Sequence, residues 1–114
     1  MKYKVINKNY IIYDEIKIAS EQDILDIVAI CFENRINSII IDGRCLSEEF
    51  YDLKTKMLGI ALQKFINYNI RVAFIIDKDK AVSDRFKELV LEINKGVNFR
   101  VCSNVEDAET WLLK

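Results

Sequence analysis

No histidine occurs among the 114 residues. Its absence removes Ser-His-Asp triads, HExxH zinc sites and any neutral-pH imidazole base. Glycine is scarce. Gly43, Gly59 and Gly96 stand alone, so no glycine-rich loop exists to cradle a phosphate. Cysteine occurs three times, an odd number with no CxxC pair, which argues against a disulfide framework or a zinc ribbon and for a reducing compartment. Long apolar runs are also missing. Runs such as Ile39–Ile41 and Val72–Ile76 are strand-sized, whereas a membrane-spanning helix needs ~20 apolar residues. Met1–Lys8 opens no signal-peptide run, so the expected compartment is the cytoplasm and no membrane partner is expected. Charge of one sign is lacking too. With 17 basic and 18 acidic residues the net charge is −1, and no global field favours nucleic acid.

What is present is a hydrophobic fraction of 51% in a chain of one-domain length, so residues 1–114 are expected to form one domain around one core. Tyr3–Ile6 and Tyr10–Tyr13 read as strands joined at Asn7-Lys8-Asn9 into a hairpin. A short run, Ile16–Ile18, leads to Ser20, which with Asp23 makes a weak capping box. The helix that follows carries Ile24, Ile27, Val28, Cys31 and Phe32 on one side. Ser38–Asp42 and Arg71–Asp77 read as buried parallel strands. Between them a loop, Leu46–Tyr51, precedes a helix from Lys54 to Tyr68 with Leu58, Ala61, Leu62, Phe65 and Ile66 facing in. Gly59 in that helix is expected to permit close approach of a neighbour. Val82–Asn94 reads as a third helix ended by Gly96. Phe99–Cys102 is the last strand, and Ser103 with Glu106 caps a final helix bearing Val105, Ala108, Trp111 and Leu112. The order β-β-α-β-α-β-α-β-α implies an α/β fold with a mixed, mostly parallel sheet covered by helices.

The stretch Leu46–Thr55, with Gly59, Leu62-Gln63-Lys64-Phe65 and Asn67-Tyr68, resembles the hallmark segment of an uncharacterised bacterial family, domain of unknown function 4180. Asn94-Lys95-Gly96 and Ser103–Ala108 with Trp111-Leu112 are similar to its C-terminal pattern. That family implies no activity. The element order also resembles the STAS domain of anti-sigma factor antagonists, in which a helix begins at an Asp-Ser-Ser-Gly motif phosphorylated by a partner kinase. Laid over Phe50–Thr55, the motif's aspartate matches Asp52, the phosphoserine position falls on Lys54, and Thr55 lies one place on. The resemblance implies a partner-binding regulatory module, while Lys54 carries no hydroxyl at the phosphoserine position of its phosphoswitch.

In open parallel sheets, ligands bind beyond the carboxyl ends of the strands. Those ends here are Asp42-Gly43-Arg44, Asp77–Lys80 and Cys102-Ser103-Asn104. Asp42, Asp77 and Ser103, with Lys54 and Thr55 at the start of the long helix, are the candidates for an anion or ligand site, which extends to a nucleotide and a Mg²⁺-assisted phosphotransfer. Against that, an Asp after a strand also serves as a plain turn residue, and Glu48, Glu49 and Asp52 offset Lys54, Lys56 and Lys64. The leading expectation is therefore a non-enzymatic module with no cofactor and no metal. Its protein partner would meet Ser47, Phe50, Tyr51, Asp52, Lys54 and Thr55. Phe50 and Tyr51 belong to this surface because adjacent aromatics in a loop do not easily both enter one core. A third expectation is a homodimer through the open edge of the hairpin. Cys31 and Cys102 read as small buried hydrophobes, and Cys45 as a loop thiol open to reagents.

Overall fold

The computed structural model describes residues 3–114. Its elements run β1 (Lys4–Ile6), β2 (Tyr10–Tyr13), α1 (Glu21–Asn34) and β3 (Ser38–Asp42). Three single 3₁₀ turns follow at Gly43–Cys45, Glu48–Phe50 and Leu53–Thr55. The chain then continues through α2 (Met57–Asn67), β4 (Arg71–Ile75), α3 (Asp84–Lys95), β5 (Phe99–Cys102) and α4 (Val105–Leu112). The five strands lie side by side in chain order. β1 is antiparallel to β2, and every later neighbour pair is parallel. This is the mixed, mostly parallel α/β sheet that the sequence implies.

Asn7 and Lys8 both take left-handed φ values, 51° and 61°, and close the expected hairpin. Parallel strands in sequential order with right-handed crossovers place their connecting helices on one face. Accordingly Ile11, Tyr13, Ile39, Ile41, Val72, Phe74 and Phe99 point towards α1, α2 and α3 and form the main core. The alternate residues Tyr10, Ile40 and Ala73 point to the other face, where α4 lays down Ala108, Trp111 and Leu112. Ile16–Ile18 does not form a strand. Ile18 makes one bridge to Leu46, its N–H donating to the Cys45 carbonyl at 2.7 Å and its carbonyl accepting from Ser47 N–H at 2.9 Å.

The caps follow local chemistry, with several shifts from expectation. Ser20 and Asp23 make a full reciprocal box at α1. Of that helix's expected inner face, Phe32 is 63% exposed, its ring meeting Tyr68 edge-on at 5.9 Å outside the core. α2 starts at Met57 instead of Lys54. Lys56 sits at φ 63°, a left-handed conformation that breaks the helical path, and Asp52 caps the last 3₁₀ turn by accepting Lys54 N–H at 3.0 Å. Within α2, Leu58, Ala61 and Phe65 are buried and Leu62 is half-buried, while Ile66 is exposed. Gly59 faces open space, so no neighbour approaches it and the expected packing role fails. α3 begins two residues later than expected, where the Ser83 hydroxyl accepts Phe86 N–H at 3.1 Å. α4 is capped by Asn104, which accepts Asp107 N–H at 2.8 Å, and not by the expected Ser103–Glu106 pair. An asparagine at that position competes well with serine as a cap.

One arginine ties α4 to the sheet. Arg71, at the start of β4, donates from Nε to the Val97 carbonyl at 3.2 Å and from a terminal nitrogen to the Leu112 carbonyl at 3.3 Å. Its guanidinium lies 4.3 Å from the centre of the Trp111 ring. A cation at the last carbonyls of a helix also complements the helix dipole. Arg71→Lys keeps the charge but loses the planar fork and the stacking. It should lower stability by about 1–2 kcal/mol, read by urea unfolding with the slope unchanged.

Candidate functional site

The carboxyl ends of β3, β4 and β5 do form a cleft. It holds about 550 Å³ and is lined by Asp42, Arg44, Tyr51, Asp77, Lys80 and Ser103, among others. Three of the five expected ligand residues, Asp42, Asp77 and Ser103, therefore meet there. Lys54 and Thr55 do not line it, because the left-handed Lys56 places them in the last 3₁₀ turn instead of on the first turn of α2. The expected five-residue site is corrected to that extent.

The cleft begins at Gly43. A Cβ at this position would lie 2.5 Å from the Ile75 carbonyl oxygen, 2.9 Å from the Tyr51 hydroxyl and 3.1 Å from Ile76 Cγ1. Only glycine lets the chain leave β3 this close to β4. The Gly43 carbonyl then accepts the Tyr51 hydroxyl at 2.7 Å. Tyr51 is 9% exposed and its ring packs at 5.3 Å on Phe86 of α3, while Phe50 beside it is 1% exposed. Two consecutive aromatics thus both enter the core. The expectation of an aromatic partner surface at Phe50 and Tyr51 is overturned. The 3₁₀ turn Glu48–Phe50 aims Phe50 beneath the sheet-facing helices and Tyr51 back towards the strand ends. Ser47 is buried as well, and its hydroxyl has no partner among the described residues.

Charged groups around the cleft hold one another. Arg44 N–H groups grip both Asp42 oxygens, Nε at 3.1 Å from each and a terminal nitrogen at 2.6 Å from Oδ2. Asp42 also accepts the backbone N–H of Arg44 at 2.9 Å. The hydrogen bonds from Arg44 hold the Asp42 carboxyl below the ordinary carboxylate range, against the opposing effect of burial. Lys80 donates to Glu48 at 2.6 Å and stands 4.4 Å over the Tyr51 ring, which pins the Asp77–Val82 loop to the turn segment. Asp77 accepts Asp79 N–H at 3.1 Å, the turn role that its sequence position suggests. The Thr55 hydroxyl lies 2.6 Å from the Glu49 carbonyl and 2.8 Å from that of Asp52, and it accepts Met57 N–H at 3.2 Å. It is engaged in joining the turns to α2. Among the described residues no three Cys, Asp or Glu side chains gather as a metal-holding group.

Burial raises the thiols of Cys45 and Cys31, the latter to about 11. Cys45 is buried, so the open loop thiol expected there is corrected. Cys31 is buried as expected, and Cys102 is half-exposed at the end of β5. Sequence reasoning placed Arg44 and Lys80 at the strand ends but did not count them among the candidate ligand residues. The signal was available at Arg44, which stands two residues after a strand-end aspartate, the spacing at which a side chain folds back on its neighbour. It also missed Asp14. The register pairs Tyr13 with Ile41, so Asp14 follows β2 at the same edge as Asp42, and its Oδ1 is buried with no hydrogen-bond partner among the described residues.

The model of one protein family, described as a domain of unknown function (DUF4180), matches residues 5–112, and the chain belongs to that family. No curated protein and no solved structure matches it.

Two measurements check this geometry. Gly43→Ala should lower stability by about 1–3 kcal/mol, because the opposing Ile75 carbonyl is backbone and cannot turn aside. Tyr51→Phe should cost about 1 kcal/mol by leaving the Gly43 carbonyl unpaired. The second measurement is a pH profile. Burial pushes Tyr51 from 10.0 up to about 12, and burial with the hydrogen bond to Glu109 does the same for Tyr10. Their folded values lie above the unfolded ones, so their contribution is complete below pH 10.0 and is lost as pH rises towards about 12. Unfolding free energy should fall through that window in the wild type and fall less in Tyr51→Phe. Asp42 carries the opposite sign. Its contribution is present above the ordinary carboxylate range and fades as pH drops through its lowered value.

Proposed function

We propose that this member of the family is a non-enzymatic, STAS-like regulatory module of the bacterial cytoplasm that engages a protein partner through the outer face of its Ser47–Lys56 turns. The observation that carries this reading is the way the turns are held. Phe50 and Tyr51 anchor them from inside, and Glu48, Glu49, Asp52, Lys54 and Lys56 stand exposed in fixed relation outside. A surface already ordered before docking gives up little conformational entropy on binding. Its mixed charges suit specificity and register more than bulk affinity. Phe50, Tyr51 and Ser47 support the surface from beneath, and Asp52, Lys54 and Thr55 remain its upper members. The neighbouring cleft supports binding over chemistry, since Asp42 is engaged with Arg44, Lys80 with Glu48 and the Tyr51 hydroxyl with Gly43.

A second reading rests on the cleft itself. Its volume of about 550 Å³ falls within the usual ~300–1,000 Å³ of small-molecule sites, and Asp42, Asp77, Ser103, Arg44 and Lys80 meet in it. Under this reading the ligand is a small anion or nucleotide.

The two readings separate on one pair of assays. The double variant Lys54→Glu with Lys56→Glu should recover a specific protein from host extract at least ~tenfold less well than the wild type. A Gln63→Glu control on α2 should recover it normally. Equal recovery by all three would remove the turn surface from consideration. Thermal shift against a panel of nucleotides with and without Mg²⁺ should be flat. A ligand at a hundredfold excess over its dissociation constant adds about 2.7 kcal/mol, so a rise of that kind would favour the cleft instead.

A further inference from the structure

Among the described residues β5 is an outermost strand and pairs only with β4. In a parallel ladder, alternate residues turn both backbone groups towards the neighbour. Asn98 and Cys102 give their carbonyls to Val72 and Ile76 at 3.1 and 2.9 Å, so the even-numbered residues of β5 face β4 and Val101 turns its N–H and carbonyl outward. Outward groups on an edge strand form a template for another strand. At Val101 both are already taken by one side chain. Asn94 Oδ1 accepts the Val101 N–H at 2.8 Å, and Asn94 Nδ2 donates to the Val101 carbonyl at 3.3 Å. A side-chain amide carries an acceptor and a donor side by side, as a passing strand would. Asn94 lies in the last turn of α3, next to Ile93, which packs on the main core, so its side chain reaches round the edge from a fixed base.

The opposite edge is different. Among the described residues β1 pairs only with β2, and Lys4 and Val5 are exposed. If both edges were bare, β1 of one copy could pair with β5 of the next. Such a contact joins two different patches, does not close, and grows into filaments. We propose that Asn94 is an edge seal. It occupies the outward N–H and carbonyl of Val101 so that a second copy of this chain cannot continue a ladder along β5. Self-pairing is thereby confined to the β1 edge, where a twofold contact closes at two copies.

Light scattering from micromolar to near-millimolar protein tests this. The wild type should not grow beyond two copies. Asn94→Ala should form species whose size increases with concentration, and Val5→Lys added to it, which places a charge on the β1 edge, should suppress that growth. Leu89→Ala, which weakens the same helix away from the edge, should behave like the wild type. The proposal is overturned if Asn94→Ala keeps the wild-type size throughout, if Leu89→Ala grows equally, or if Val5→Lys leaves the growth unchanged. Should Asn94→Ala fail to fold, hydrogen exchange on the wild type decides. The Val101 amide, on the outer side of the outer strand, should exchange as slowly as the inward Cys102 amide, and exchange at the rate of an open loop would contradict the seal.

Discussion

The hydroxyl of Tyr51 resting on the Gly43 carbonyl organises the end of the molecule beyond the carboxyl ends of the strands. Gly43 admits no side chain because β4 passes too close, and the space it leaves is taken by the tip of Tyr51. The segment after β3 is therefore not a loop projecting over the strand ends. It is three 3₁₀ turns bound to them, with Phe50 and Tyr51 as pegs and the Thr55 hydroxyl closing the last turn onto α2. Lys80 then fastens the facing loop to the same place through Glu48 and the Tyr51 ring. A buried hydroxyl and a buried carbonyl are each costly alone and modestly favourable together, which is why so much local geometry follows from one contact.

The parts of this architecture that the sequence made legible are those governed by periodicity. Ile39–Ile41 and Val72–Phe74 read as buried strands because both faces of the sheet are covered, and the capping pair Ser20–Asp23 marked α1 one residue ahead of its start. The failures share a cause. Phe50 and Tyr51 looked like a surface because an extended loop presents adjacent side chains to opposite sides. A 3₁₀ turn does not, and no periodic signal marks a single turn of three residues. Lys54–Lys56 looked like the first turn of a helix because nothing in its composition announces a left-handed lysine. Gly59 suggested a close approach that belongs to Gly43, where the neighbour is a strand and not a helix. The cleft was placed at the correct edge from strand order alone, but its cations, Arg44 and Lys80, reach it through contacts that spacing only partly encodes.

The two ends of the sheet pose separate problems, and the chain solves them with different chemistry. At the carboxyl end the charges are paired within the molecule, so the cleft is polar without being unbalanced. At the side edges the difficulty is open-ended pairing, met at β5 by a single amide that leaves the β1 edge as the place where a copy can add. No helix among the described residues is long and apolar enough to cross a membrane. With no histidine in the chain, neither end relies on an imidazole.

The central claim is that the Gly43–Thr55 segment is a preformed, rigid surface and not a mobile loop. Backbone ¹⁵N relaxation tests it most directly. Order parameters of about 0.85 from Gly43 to Thr55, equal to those of β3 and β4, are the expected result. Values below about 0.6 at Glu48–Tyr51 would mean that the pegs are not seated, and would contradict a surface ordered in the free chain.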